Sequence, residues 1–219
     1  LANTVTTSGT GNITIEPRTT STTIAMNDAT GDLSLTATEL GYLASAGTVT
    51  IGLATTGTGA ITMGSAGAID ISLETFSLTL YGGSFSNSNT LTLAADKSLV
   101  IGADTFTSIG ANLTTSGTGN ITIQPQTTSR TIALNDATGD LSLSATELGY
   151  LASAGTVTIG LASTGTGAIA IGSTAAIDLS AESFSMTLNG GAVTFTNGLT
   201  LPAGKTMTFN TGAITSGSS

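Results

Sequence analysis

The sequence repeats itself with a period of 108 residues. Residues 12–52 return as residues 120–160 with five changes. Further along the chain the match is looser but stays in register, so that Phe76 corresponds to Phe184. Long-period self-similarity is typical of arrays in which each unit buries its apolar face against its neighbours. A tandem copy lengthens a rod, whereas it adds little to a catalytic site, and the repeat therefore favours a structural role.

The period divides the chain into two predicted units, residues 1–108 and residues 109–216. Residues 217–219 are then the start of a next unit or a tail. The closing stretch, residues 212–219, resembles the approach to a third unit. We therefore expect a slice of a longer array or a processed subunit.

The composition favours a narrow core. Only 8% of the residues are charged, against roughly 25% in typical globular proteins. Disordered chains are poor in β-branched residues, but here Ile, Leu and Val are spread evenly among Thr, Ser, Gly and Ala. The chain can therefore bury a continuous apolar strip.

The charge balance excludes several classes of partner. Thirteen carboxylates against four basic residues give a net charge of -9, which repels nucleic-acid phosphates and anionic membranes. The sequence has no Cys and no His, so it lacks thiolate chemistry and the commonest catalytic base and metal ligand. No stretch approaches the roughly 20 apolar residues that span a bilayer. We expect neither nucleic-acid binding nor membrane insertion.

Short stretches with alternating apolar and polar residues, separated by Gly, Asn, Asp and Ser, predict β-strands. Strands are predicted at residues 12–15, 22–26, 32–35, 48–51, 60–63 and 90–93. The alternation changes parity between Leu73 and Phe76, which requires a corner. The pattern predicts an all-β fold, a parallel β-helix (β-solenoid) made of two tandem repeats. With roughly 20–30 residues a coil, each repeat is four or five coils and rises about 20 Å.

One segment of each repeat predicts a helical turn. Thr36 precedes Glu39 by three residues, and Ser144 precedes Glu147 in the same way. This spacing is that of a capping box, in which hydroxyl and carboxylate satisfy the free amides of a first helical turn. We expect a short helical turn or a lateral loop at residues 39–44 and 147–152, with Tyr42 and Tyr150 as the packing anchors.

Three phrases carry a resemblance to known fibres. The run LSLTATELGYL at residues 33–43 resembles the TATEL-x-YL motif of phage tail-fibre and spike shafts. Residues 57–62 and 199–206 are similar to the β-helical stalks of filamentous-haemagglutinin-like adhesins and other giant bacterial surface proteins. The resemblance implies a β-helical shaft at a cell surface or on a virion.

The sequence offers no catalytic constellation. An enzyme needs convergent acid, base or nucleophilic groups, and four basic residues furnish poorly the Asp, Lys and Arg clusters found in β-helical polysaccharide-cleaving enzymes. Three carboxylates are lost in the second copy, as is typical of surface positions: Glu16, Asp96 and Asp104 become Gln124, Gly204 and Gly212. We expect no enzyme activity and no cofactor.

The best candidate for a ligand site is the turn at residues 27–32 and its copy at residues 135–140. Its carboxylates, which could hold calcium through oxygen ligands, are Asp28, Asp32, Asp136 and Asp140. The alternative is a turn whose Asx side chains bond their own backbone, and we favour that interpretation.

The leading hypothesis is a structural module of an extracellular filament or surface fibre that self-associates head-to-tail, without catalysis. A second hypothesis is a trimeric phage tail-fibre shaft, in which three chains share one core. A third is an adhesive module for host-surface or matrix glycans, with Tyr42, Tyr81 and Tyr150 as sugar-stacking groups. The partners are then the chain itself, or glycans.

Overall fold

A computed structural model describes residues 1–28, 30–136 and 138–217 and shows a nearly all-β fold of stacked parallel strands. Two short helices, α1 (Ala37–Leu40) and α2 (Ala145–Gly149), interrupt the strands. The strands are β1 (Val5–Thr6), β2 (Ile13–Ile15), β3 (Ile24–Met26), β4 (Leu33–Leu35), β5 (Leu43–Ala44), β6 (Thr48–Gly52), β7 (Ala60–Met63), β8 (Ile69–Ile71), β9 (Ser77–Asn87), β10 (Leu91–Ala95), β11 (Leu99–Ile109), β12 (Leu113–Ser116), β13 (Ile121–Gln124), β14 (Ile132–Leu134), β15 (Leu141–Leu143), β16 (Leu151–Ala152), β17 (Thr156–Ile159), β18 (Ile169–Ile171), β19 (Ile177–Asp178), β20 (Ser185–Asn189), β21 (Val193–Phe195), β22 (Leu199–Thr200), β23 (Met207–Asn210) and β24 (Ile214–Ser216).

The strands form the three faces of a parallel β-solenoid. Face 1 consists, in axial order, of β2, β6, the first half of β9, the first half of β11, β13, β17, β20 and β23. Face 2 consists of β4, β3, β7, the second halves of β9 and β11, β15, β14, β18, β21 and β24. Face 3 consists of the short strands β1, β5, β8, β10, β12, β16, β19 and β22. The predicted all-β, parallel β-solenoid class is confirmed, and its division into two tandem repeats stays a prediction.

The coils differ in length. Along face 1, residues that pair on successive coils are 36, 29, 21 and 22 residues apart, and then 36, 29 and 21 residues apart. Three of these lengths fall within the predicted range of about 20–30 residues. The coil of 36 residues is longer than predicted because it contains an extra strand and a helix.

That long coil places two consecutive strands side by side on face 2. Strand β3 pairs in parallel with β4, which follows only a few residues later, so that Ile24 lies beside Leu33. The chain then enters α1 before it returns to face 3. In the second copy, β15 lies beside β11, but it forms a backbone pairing only with β14. The backbone ladder of face 2 is therefore interrupted between β11 and β15.

The capping boxes are confirmed, but the predicted helix bounds are wrong. Thr36 and Ser144 are the N-caps, and each bonds reciprocally with the Glu three residues later. Helix α1 spans Ala37–Leu40, and Leu43–Ala44 is already a strand. The turn ends early because Leu43 pairs with Val5 on face 3, and this strand pairing replaces further helical hydrogen bonds.

Glycines allow β9 to turn from face 1 to face 2 without a break. A Cβ at Gly82 would lie 2.6 Å from Cγ1 of Ile61, and a Cβ at Gly83 would lie 2.3 Å from the carbonyl oxygen of Thr58. A side chain at either position would collide with the preceding coil. This close approach explains the Gly-Gly pair and its copy at residues 190–191.

Alternation along face 1 separates core from surface. Inward residues such as Val49, Leu78 and Leu99 are fully buried. The outward column between them is almost entirely threonine, as the pairing register shows: Thr14, Thr50, Thr79, Val100, Thr122, Thr158, Thr187 and Thr208. β-Branched side chains favour extended backbone and pack well against their neighbours on a pleated surface. Face 1 therefore carries an outward ladder of threonine side chains.

The core is continuous through the middle of the chain. Residue 108 lies inside β11, and one cluster of buried side chains includes residues on both sides of it. The sequence period is thus not marked by a gap in packing. The proposed division at residues 108 and 216 stays a prediction.

Two equivalent isoleucines test whether burial follows position along the axis. Ile123 lies within the stack and is fully buried, whereas Ile15 lies on the first coil and is half-buried. Ile123→Ala should lower the free energy of unfolding by about 2–5 kcal/mol. Ile15→Ala should lower it by clearly less, because part of that side chain already contacts water. Equal losses in urea denaturation at low protein concentration would contradict this solenoid.

Candidate functional site

The two acidic turns hold their carboxylates with backbone and hydroxyl donors. Asp32 accepts hydrogen bonds from the backbone N–H of Thr23 at 3.0 Å and from its hydroxyl at 2.8 Å. Asp140 accepts the same pair from Thr131 at 3.0 and 2.9 Å, and Arg130 donates a further bond at 3.1 Å. The backbone hydrogen bond, followed by the hydroxyl bond, lowers the pKa of each carboxyl.

The other two acidic residues lie at the start of each turn. Asp136, only 8% exposed, accepts bonds from the N–H and hydroxyl of Thr138 at 3.0 and 2.9 Å. Burial raises the pKa of Asp136, but hydrogen bonds from Ser173 and Thr138 outweigh it, so the pKa is lowered. Oδ1 of Asp28 lies 3.4 Å from the N–H of Thr30. The intervening residues 29 and 137 lie outside the described residues.

This geometry is that of Asx turns. Asn27 and Asn135 take positive φ angles of 48° and 49°, which asparagine tolerates. Within residues 1–28, 30–136 and 138–217, no group of three or more His, Cys, Asp or Glu side chains could hold a metal ion. Calcium at Asp28, Asp32, Asp136 and Asp140 stays a prediction, and an ion bound to Asp32 or Asp140 would have to compete with the donors already there.

Two glutamates differ from these aspartates, because burial alone raises their pKa. Glu74 and Glu182 are equivalent in the two copies, and each directs Oε1 toward the end of a helix, close to Gly41 and Gly149. A raised carboxyl pKa in a cleft is one mark of an acid catalyst. Here the positions are half-buried corners that follow β8 and β19, and the shift is a packing effect.

These opposite shifts give a pH dependence. The folded state binds a proton at Glu74 and Glu182 more tightly than the unfolded state does, so stability falls as the pH rises through the raised pKa values. The aspartates with lowered pKa values act in the opposite sense, and their contribution is lost as the pH falls below about 4. Glu74→Gln with Glu182→Gln should therefore raise the melting temperature at pH 7 and leave it nearly unchanged at pH 4.

Glu16→Gln is the matched control for that pair, since the second copy already has Gln124 at the equivalent position. We expect no change in the melting temperature. A double variant that melts lower than the parent at pH 7 would show that the two glutamates stabilise the fold as anions.

Asp96 and Asp104 join one coil to the next. The sequence indicates only that they are surface positions. Asp96 accepts bonds from the N–H and hydroxyl of Thr118 at 2.7 and 3.0 Å. Asp104 accepts bonds from the N–H groups of Gln126 and Thr127 at 2.9 and 2.8 Å. Burial raises the pKa of Asp104, but the hydroxyl of Thr127, the two N–H groups and the charge of Arg130 outweigh it, and the pKa is lowered.

Arg130 completes this polar junction. Its Nε lies 3.4 Å from Asp104 and its Nη1 lies 3.1 Å from Asp140. The contacts of Asp96 and Asp104 with Thr118, Gln126, Thr127 and Arg130 cross the boundary between the two sequence copies, whereas the pair Arg130–Asp140 lies within the second copy. In the second copy, Gly204 and Gly212 stand where the first has Asp96 and Asp104, so the last coils lack these carboxylates.

The three tyrosines are half-buried and dispersed. The ring of Tyr81 lies over Gly102, where an added Cβ would be 2.5 Å from its Cδ1. Tyr150 packs against the core after α2, and Tyr42 occupies the equivalent position after α1, four coils away. The structure does not bring these residues together.

Both ends of the solenoid expose apolar side chains. At the carboxyl end Ile214 is 53% exposed, and the partly buried apolar residues there are Phe195, Leu199, Leu201, Met207 and Phe209. At the amino end Leu1 and Val5 are 46% and 43% exposed, and Ile15 and Leu33 are partly buried. We define these two sets as the carboxyl end face and the amino end face.

The equivalent residues in the middle of the chain are buried. Leu113, Ile123 and Leu141, the equivalents of Val5, Ile15 and Leu33, are all 0% exposed. Leu91, Leu99 and Ile101, the equivalents of Leu199, Met207 and Phe209, are also 0% exposed. The end faces are thus core surfaces that lack a covering coil.

Comparisons with protein-family models, with curated proteins and with solved structures gave no match. Among the residues that the structure describes, no helix is long and apolar enough to cross a membrane. The two end faces and the polar junction between the copies are the structural features that bear on function.

Proposed function

We propose that this chain is a structural module of an extracellular filament or surface fibre, a shaft segment that provides length and stiffness. The observation that carries the proposal is the unbroken parallel ladder of face 1, which runs from β2 to β23 over a narrow buried core. Backbone hydrogen bonds in such a ladder run parallel to the long axis. A pull along the axis therefore loads many bonds at once.

The proposal includes the absence of catalysis. Asp32, Asp96, Asp104 and Asp140 accept hydrogen bonds from backbone or hydroxyl donors of neighbouring segments. These contacts give the carboxylates a structural role. Glu74 and Glu182 have raised pKa values, but they lie at equivalent corners four coils apart.

The single-chain core favours this proposal over a trimeric shaft. In a trimer with a shared core, each chain alone would leave a lengthwise apolar strip exposed. Here the inward residues of all three faces are buried within one chain, as Leu80, Phe85 and Leu91 show at 0% exposure. The exposed apolar side chains cluster at the two ends, apart from Leu73.

An adhesive role has less support. Sugar-binding sites stack a ring against exposed aromatic faces, whereas Tyr81 covers Gly102 and Tyr150 packs on the core. Glycans of a host surface or matrix stay a possible partner class for other parts of a fibre.

We place the fibre outside the cell, on a bacterial surface or a virion, on the strength of the resemblance to adhesin stalks and tail-fibre shafts. An antibody raised against the chain should label intact source cells or virions without permeabilisation. Labelling that appears only after permeabilisation would contradict this location.

A chain with twice the number of coils tests the shaft itself. We would join residues 1–216 directly to a second copy of residues 1–219. Small-angle X-ray scattering should show a length increase of about 38 Å, from eight further coils at about 4.8 Å each, at an unchanged cross-section. A dumbbell profile, or a trimer that persists on dilution, would contradict the proposal.

A further inference from the structure

We propose that the carboxyl end face of one molecule binds the amino end face of a second copy of this chain, in the register of the internal junction between residues 99–116 and residues 120–152. The inference deepens the proposed shaft function and rests on it. It is separable from that function, because a shaft could also be built from units within one polypeptide.

The internal junction supplies the template. Strand β11 pairs with β13, so that Leu99 lies beside Ile121 and Ile101 beside Ile123. A shift by one repeat places Met207 beside Ile13, and Phe209 beside Ile15, of the second copy. On face 3, Leu91 pairs with Leu113, and the equivalent contact joins Leu199 to Val5 of the second copy.

Face 2 is compatible with this docking because it needs no backbone pairing. Inside the chain, β15 lies beside β11 without a backbone pairing to it. At the docked ends, β4 of the second copy would lie against β24 in the same way. Ile214 and Leu33, which are equivalent to Phe106 and Leu141, would then be covered.

The amino end face already has the geometry of its buried counterpart. The N–H of Val5 donates to the carbonyl of Tyr42 at 2.8 Å, as that of Leu113 does to Tyr150 at 2.9 Å. The N–H of Thr48 donates to Oδ1 of Asn12 at 2.8 Å, and its equivalent pair has the same distance. A surface that needs no rearrangement loses little entropy on binding.

The docked junction would differ from the internal one in its polar contacts. Gly204 and Gly212 replace Asp96 and Asp104, and Thr22 replaces Arg130. The apolar residues of the two end faces are thus retained, but the carboxylates that join the internal coils are missing. We therefore expect reversible association of separate molecules.

One mutation at each end tests the docking and its polarity. Ile15→Lys places a charge on the amino end face, and Met207→Lys places one on the carboxyl end face. Wild-type protein should give a concentration-dependent series of oligomers in sedimentation velocity, and each variant alone should remain monomeric. A mixture of the two should form one dimer, because each variant retains the face that the other has lost.

The control is Leu73→Lys, since Leu73 is 93% exposed on the flank of the solenoid. It should keep the wild-type series of oligomers. Monomeric wild-type protein at all concentrations, or a mixture of end variants that stays monomeric, would overturn the docking. The shaft proposal would survive that result if scattering still shows a rod, and it would fail separately if scattering does not.

Cysteine pairs test the register, because the chain has no cysteine of its own. Thr208→Cys on one chain and Thr14→Cys on another correspond to the paired positions Val100 and Thr122. Oxidation of that mixture should give a disulfide-linked dimer. Thr208→Cys mixed with Leu73→Cys should give none, and equal cross-linking of both mixtures would overturn the register.

A gain of affinity completes the test. Gly204 has a φ of 75° and Asp96 a φ of 63°, and a Cβ at Gly204 meets no atom within 4 Å. Gly204→Asp with Gly212→Asp should restore acceptors for Thr10, Arg18 and Thr19 of the second copy. The dissociation constant should fall by about tenfold or more, because each restored carboxylate accepts charge-assisted hydrogen bonds that the wild-type junction lacks. An unchanged or higher dissociation constant would overturn the assigned register.

Discussion

The structure depends on the stacking of parallel strands, in which each coil satisfies the backbone groups and covers the side chains of its neighbour. No coil has a core of its own: Leu78 is buried because Val49 lies on one side of it and Leu99 on the other. Stability in such an array is close to a sum of nearest-neighbour interfaces. The first and last coils are therefore incomplete, whatever their sequence, until something covers them.

This dependence explains how coils of 21 and 36 residues coexist. A neighbour constrains only the strand segments that it pairs with, so the connections can vary in length. The long coil uses its extra residues for β4 and α1, and the capping box satisfies the first amides of that helix without help from another coil. Asn27, at the start of these extra residues, is held by a hydrogen bond between coils. Its side-chain amide donates to the carbonyl oxygen of Gly67, which lies on another coil, at 3.0 Å.

The parts of the fold that could be predicted from the sequence are those that local pattern dictates. Alternation around Ile13, Ile24 and Leu33 predicts three strands, and all three are confirmed. Alternation does not reveal which face a strand joins, so the pairing of β3 with β4 on one face was not predictable. The end of α1 at Leu40 was missed for a similar reason, since it depends on pairing between Leu43 and Val5, 38 residues apart.

The candidate site shows the same limit more sharply. Asp96 and Asp104 contain no local signal of their role, because their donors, Thr118 and Thr127, lie one coil ahead. Their replacement by glycine in the second copy is typical of surface positions, so the sequence alone does not predict that they join two coils. In the structure, the carboxylates of Asp96 and Asp104 reinforce the internal junction, and the docked junction that we propose would lack them. The internal junction has the carboxylates of Asp96 and Asp104 together with Arg130. The end faces have equivalent apolar residues without these polar groups. Divergence between near-identical copies therefore bears on the docking that we propose, since it changes the polar contacts of a junction and leaves its apolar contacts in place.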